Sequence, residues 1–180
     1  FYEKYIKLAD EYILEPFLRE PLKEQYIKVK NLNENPEITT KAYLEKLENT
    51  SVEQLIDSIL TTNKGKVIYL DCWATWCSPC REEMPHSKML MEELNNEDIV
   101  YVFLCIDSEK HLWENSLAEF QLDGQHHFLT NKQSNDLRNS LDVKEIPHYF
   151  LINKDGIIVE KGSHLRPNDV KEKLLELLEK

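Results

Sequence analysis

A chain of 180 residues with 41% hydrophobic side chains is long enough for one ordinary domain plus an appendage, and it can bury a core without a disulfide scaffold. Its 33 acidic against 22 basic side chains leave a net charge of −11, which repels a phosphate backbone and argues against nucleic acid as a partner. No run approaches the roughly 18 consecutive apolar residues of a membrane span, and no basic start leads into an apolar signal segment, so the sequence as given reads as soluble.

Residues 1–62 show little strand-like alternation and read as a helical N-terminal segment, with Tyr5, Leu8 and Tyr12 and then Tyr43, Leu44 and Leu47 at helical spacing. Pro16, Pro21 and Pro36 are expected to cut it into short pieces, because a proline inside a helix removes a donor and clashes with the preceding turn. Ser51 and Gln54 form a capping-box pattern that opens a helix through Leu60, with Val52, Leu55, Ile56 and Ile59 on its apolar side. A loop follows from Thr61 to Gly65.

From there, over residues 63–180, strands alternate with helices, which predicts a layered α/β domain with a central mixed β-sheet flanked by helices. Val67 to Ala74 is a nearly continuous apolar run, suited to a strand buried on both faces. Ser78 to Asn95 reads as a helix interrupted by Pro85, and Ile99 to Ile106 as a second buried strand. Behind Ser108 comes a helix with Leu112, Trp113, Leu117 and Phe120, then a weaker strand from His126 to Leu129. Pro147 to Ile152 and Ile157 to Lys161 flank the turn residues Asn153, Lys154, Asp155 and Gly156, which predicts an antiparallel hairpin. Asn168 or Asp169 caps a last helix carrying Val170, Leu174, Leu177 and Leu178.

Four cysteines, at 72, 77, 80 and 105, are too few and too unevenly placed for a disulfide framework. Cys77 and Cys80 form a CxxC between the buried strand and the helix, which puts Cys77 at a helix N-terminus beside unpaired backbone donors and the positive dipole end. Such a place stabilises a thiolate and lowers a thiol pKa from about 8.5. The pair therefore reads as redox-active. Half of a zinc site is the alternative, but a closed tetrahedral site wants two more ligands, and the sequence has neither a second CxxC nor a spaced HxxxH.

The stretch from Asp71 through Cys72, Trp73, Ala74, Thr75, Trp76, Cys77, Ser78, Pro79, Cys80, Arg81, Glu82, Glu83 and Met84 to Pro85 resembles the TlpA and ResA branch of the thioredoxin superfamily. Ile146, Pro147, His148, Tyr149, Phe150, Leu151 and Ile152 are similar to that family's segment around a cis-proline, and the likeness extends from Lys66 to the C-terminus, about two thirds of the chain. The resemblance implies a thioredoxin-like fold and an enzyme, a thiol-disulfide oxidoreductase, without cofactor or metal. It also implies protein substrates with disulfides or thiols, and a further redox partner that resets the CxxC. It implies a periplasmic or otherwise extracytoplasmic location, where a membrane tether is expected only through residues before Phe1.

By the same resemblance Asp71 is the buried acid under the resolving cysteine, and an acid within an apolar strand is costly unless it has a purpose or a partner. Glu83, one helical turn after Cys80, matches an acid that the ResA-like branch places near the site; either carboxylate could relay the Cys80 proton. Ile146 and a cis Pro147 then border the site and hold a substrate strand, and Trp73 and Trp76 shield the thiols. The mechanism implied is attack by the Cys77 thiolate on a substrate disulfide, a mixed disulfide held against Ile146 and Pro147, and release by Cys80. Ser78 and Pro79 between the cysteines, with acids nearby that oppose thiolate formation, favour a reductant.

Other residues invite other readings. A copper metallochaperone or a non-catalytic binding module would use Cys77 and Cys80 on soft Cu(I), with His86 and His148 close in sequence. A thiol peroxidase would use Thr75 and Arg81, but its signature is a lone TxxC and the paired CxxC fits exchange better. Cys72 and Cys105 fall within strands and read as small buried hydrophobes. His126 and His127 alternate across a strand and cannot face one ligand. Aligning Asp107 with the acid that ends the family's strand puts Phe103 where thioredoxin has a lysine near its buried acid, so that cation is absent.

Overall fold

Val67–Trp73 is buried at every position, as a strand covered on both faces must be. In the computed structural model, which describes residues 2–39, 42–45, 50–95 and 98–179, this strand lies inside a six-stranded sheet.

The chain divides into two units, Phe1–Glu37 and Ile38–Lys180. The first holds helices α1 (Tyr2–Tyr12) and α2 (Pro16–Glu34). Pro16 sits in the first turn of α2, where its missing N–H costs nothing. Pro21, expected to cut the helix, lies inside it instead. Its place in the second turn leaves only the Phe17 carbonyl without an intrahelical donor, and Phe17 is exposed to water.

In the second unit the sheet order is β1 (Ala42–Glu45), β4 (Gly124–Phe128), β3 (Ile99–Cys105), β2 (Val67–Trp73), β5 (His148–Ile152), β6 (Ile158–Gly162). The first four strands are parallel; β5 and β6 are antiparallel additions. The helices are α3 (Val52–Thr62), α4 (Ser78–Glu93), α5 (Lys110–Phe120), α6 (Asn131–Leu141) and α7 (Lys171–Leu178). Alternation along β2 divides the core. Val67, Tyr69 and Trp73 pack with Cys80 and Met84 of α4, Trp113 of α5 and Leu174 of α7, whereas Ile68, Leu70 and Cys72 pack with Val52, Leu55 and Ile59 of α3 and Leu137 of α6. Each such large apolar side chain contributes on the order of 2 kcal/mol by leaving water.

Three features depart from the sequence reading. Residues 42–45, read as helical, form a strand, because pairing with β4 supplies backbone bonds that so short a segment could not gain by nucleating a helix; Leu47 lies outside the described residues. The sequence reading put a boundary near residue 62, whereas the second unit begins at Ile38, since β1 joins the sheet and α3 buries its apolar side in the same core. The Ser51 and Gln54 capping box of α3 forms as expected. Helix α6 is polar apart from Leu137 and Leu141, so apolar periodicity marks no element there. A Thr130 and Gln133 capping box starts it, and Gln133 Nε2 donates to the Thr50 carbonyl at 2.7 Å.

Candidate active site

The parallel strand β2 ends at Trp73, and α4 begins five residues later at Ser78 with Pro79 in its first turn. Cys77 is the N-cap of α4, and its Sγ accepts from the Cys80 backbone N–H at 3.2 Å. The two cysteines are joined in a disulfide with their Cα atoms 5.3 Å apart. Cys77 keeps 4% of its surface open to solvent and Cys80 none, so the outer sulfur of the pair belongs to Cys77. Trp76, beside it, is 63% exposed; its indole N–H donates to the Asp107 carbonyl at 2.7 Å, which fixes the ring over the strand end. Asp107 itself has a left-handed φ of 49° and accepts from Arg138 Nε at 3.0 Å and Nη2 at 2.8 Å.

Across the sheet, β5 opens with the Ile146–Pro147 peptide bond, which is cis. Ile146 is half-buried and packs against both cores, and Pro147 is buried. His148 is buried against Phe150, with ring centroids 5.0 Å apart.

Two acids sit on the elements that carry the disulfide: Asp71 alternates onto the face of β2 whose Tyr69 and Trp73 pack with Cys80, and Glu83 follows Cys80 by three residues on α4. Asp71 is 1% exposed, in register with Phe103 on one side and Tyr149 on the other, and neither of its carboxyl oxygens has a hydrogen-bond partner. Burial holds its pKa well above the usual carboxylate range, and the nearby charge of Glu83 raises it further. Glu83 is also buried: its Oε1 accepts from Arg166 Nη1, whereas Oε2 has no partner. Tyr149 Oη is buried without a partner as well, and desolvation, with Asp71 and Glu83 next, pushes its pKa up. The Tyr149 ring stacks on Tyr69 at 5.5 Å.

This arrangement presents one sulfur of a disulfide at a helix N-terminus, with two buried acids on the same pair of elements. A sequence profile described as thioredoxin-like matches residues 65–158, more than half of the chain. The chain belongs to the thioredoxin-like family. Among similar proteins, the thiol-disulfide oxidoreductase ResA of Bacillus cereus is 30% identical over 98 residues, which are 54% of this chain and 55% of that one. A solution structure from Bacteroides vulgatus, assigned as a thiol-disulfide oxidoreductase, is 40% identical with a TM-score of 0.56, covering 67% of this chain and 78% of the other. The thioredoxin domain of a thiol-disulfide oxidoreductase from Bacteroides vulgatus superposes with a TM-score of 0.60 at 24% identity over 66% of this chain and 84% of that one, a likeness of fold. The chain spans 55% to 64% of the length of the first ResA relatives it matches.

Within this thioredoxin-like frame, the remaining sequence readings find their places. Trp73 is a core residue, 1% exposed, and only Trp76 stands at the surface of the site. Cys72 and Cys105 are buried free thiols, raised by desolvation, Cys105 to about 12. His126 lies beside Phe103 and His127 beside Leu104, on opposite faces of β4. Arg81 is engaged between helices, with Ser116 Oγ at 3.1 Å, Glu119 at 2.7 Å and the Phe120 ring at 4.9 Å. Among the described residues, no three or more His, Cys, Asp or Glu side chains are grouped to hold a metal ion. Two participants escaped the sequence reading. In the sequence Tyr149 is one apolar-run residue of the proline segment, and Arg166 lies 83 residues from Glu83 in a loop with no local pattern to mark it.

Proposed function

We propose that this chain is a thiol-disulfide oxidoreductase that reduces disulfides in protein substrates. The observation that carries the reading is the Cys77–Cys80 disulfide at the start of α4 with two buried acids on the elements packed around it, Asp71 without a hydrogen-bond partner and Glu83 bound to Arg166 through one oxygen. In the reduced protein the Cys77 thiolate attacks one sulfur of a substrate disulfide; that bond breaks, and the first substrate thiolate leaves and is protonated by water. Trp76, Ile146 and Pro147 flank the resulting mixed disulfide. Cys80 then gives its proton to the Asp71 and Glu83 pair, and its thiolate attacks Cys77 Sγ. The internal disulfide closes and the second substrate thiolate departs, so that two electrons have passed from the dithiol to the substrate.

A buried acid on the elements packed around Cys80 supports the reductive direction, because it takes up a proton as the internal disulfide forms and makes the dithiol a competent donor. A separate redox partner must then return two electrons to the Cys77 and Cys80 pair. The similarity to ResA supports work outside the cytoplasm; no helix of the described residues is long and apolar enough to cross a membrane. Two measurements test the proposal. Cys80→Ser is expected to trap mixed disulfides with substrate proteins and Cys77→Ser few, and equal trapping by both would overturn the division of roles. Equilibration in a glutathione buffer is expected to give a potential below about −200 mV, whereas one near about −120 mV would make the protein an oxidant.

A further inference from the structure

Of the two buried carboxyl groups, Glu83 holds a cation and Asp71 has no hydrogen-bond partner. Arg166 reaches in from the loop between β6 and α7, its side chain 39% exposed, and bonds Glu83 Oε1, while Glu83 keeps 10% of its side chain in contact with water. The loop is anchored from within: Tyr69 Oη donates to the carbonyl of buried Leu165 at 2.6 Å, and the Arg166 carbonyl accepts from the Asp169 N–H at 2.9 Å. The loop that carries Arg166 is thus anchored on either side of it, and the guanidinium itself is held by Glu83.

Glu83 is faced from every neighbouring element by an identifiable group. Asp71 and Tyr69 come from β2, Tyr149 from β5, Arg166 from the α7 side with Asp169 beside it, and Cys80 precedes it by one turn on α4 itself. Of these, the tyrosines and Asp71 are buried and are either uncharged or of the same sign as Glu83, and Arg166 is the cation among them. Glu83 Oε1 is occupied by that cation, and Glu83 Oε2, buried, is the oxygen left without a partner.

We propose that Arg166 is the positioning residue for proton transfer at this site, pinning one oxygen of Glu83 so that the other serves Cys80 during resolution of the mixed disulfide. This rests on the exchange reading above. Arg166 does not touch sulfur and acts through Glu83. The charge-assisted bond holds the carboxylate in one orientation, and the guanidinium favours the form of the acid pair that can accept a proton. The proton leaves Cys80 for the carboxylate pair as the Cys77–Cys80 bond forms and the bond from Cys77 to the substrate sulfur breaks.

The test uses the reduced full chain and 5,5′-dithiobis(2-nitrobenzoic acid), which separates the two steps. Attack by Cys77 releases the first coloured thiolate, and resolution by Cys80 releases the second. Removing the cation disfavours the charged carboxylate, so in Arg166→Gln the acidic limb of the second phase is expected to move up by about one pH unit. Below that limb the second release slows about tenfold, and above it the rates converge. Arg166→Lys, which keeps the charge, restores most of the rate at low pH, and the first release is unchanged in both variants. In a Glu83→Gln background, Arg166→Gln has no further effect. A second phase in Arg166→Gln that follows the unaltered pH profile overturns the proposal, as does a slowing that persists undiminished in the Glu83→Gln background. Failure of the unaltered protein to give any second release overturns the exchange reading itself.

Discussion

Two histidines on β4 and two acids on β2 and α4 are buried in the second unit, and they sit in unlike company. On β4, His126 stacks on Phe103 with ring centroids 4.7 Å apart and Nε2 3.1 Å from the Leu122 carbonyl, to which it donates; His127 packs on the opposite face. On β2 and α4, Asp71 has no hydrogen bond for either oxygen and Glu83 has one for a single oxygen. Burial is nearly the same in the four cases, between 1% and 8% exposure, so burial does not separate structure from chemistry. The neighbours do: the histidines lie beside Phe103 and Leu104 of β3 and desolvation keeps their rings neutral, whereas Asp71 and Glu83 lie near each other and Glu83 is bound to Arg166.

The histidines and Asp71 have opposite dependence on pH. Desolvation lowers both histidines to about 4, so the folded state resists protonation that the unfolded chain accepts below about 6.5. Their contribution is present above the unfolded value and is lost as pH falls from about 6.5 toward 4, on the order of 3 kcal/mol for each. Urea midpoints across this range measure the loss, and His126→Phe is expected to remove its own share; an unchanged slope would show that His126 is already hydrated in the folded state.

Glu83→Gln is expected to slow exchange about 10²-fold in the range where resolution limits the rate, as loss of a proton acceptor does. Adding Asp71→Asn should cost little more than the worse single change, since two acids that serve one thiol act as a coupled set. Full activity of Glu83→Gln between pH about 6 and 9 would return that residue to a purely structural place beside Arg166.

For Asp71 the sign reverses. Its folded-state pKa is raised, so its stabilising contribution is complete below the ordinary carboxylate value and is lost as pH rises from there through the folded value. Relative to the unaltered protein, Asp71→Asn should therefore gain about 1.4 kcal/mol per pH unit above pH about 4 until that folded value is passed. Denaturation of the oxidised forms at several pH values reads this directly, and a constant difference would mean that Asp71 titrates normally. The smallest effect expected is on turnover of His126→Phe, within about twofold of the unaltered protein when exchange is assayed near neutral pH, because a packed neutral ring carries no proton in the reaction.

Much of the fold was legible because its signals are local. The apolar run of β2, the Ser51 and Gln54 capping box, the Asn153 to Gly156 turn and the helix start at Ser78 each depend on residues within a few positions of one another. The helix α6 was not legible, since its start is fixed by hydrogen bonds of Thr130 and Gln133 rather than by apolar spacing. The strand β1 was misread because four residues carry no reliable period and acquire their conformation from β4.

By itself the sequence determined the chemistry at the helix N-terminus: a CxxC three residues apart at a strand-to-helix junction places one sulfur at the first turn and the other one turn inward, whatever surrounds it. It also placed an acid six residues ahead of Cys77 in a strand too apolar to leave it exposed. Only the tertiary structure decided what that acid meets. Register sets Tyr149 and Phe103 beside Asp71, and the turn after β6 carries Arg166 to Glu83. Such pairings depend on strand order and on where a distant loop is anchored, and no window of neighbouring residues encodes either.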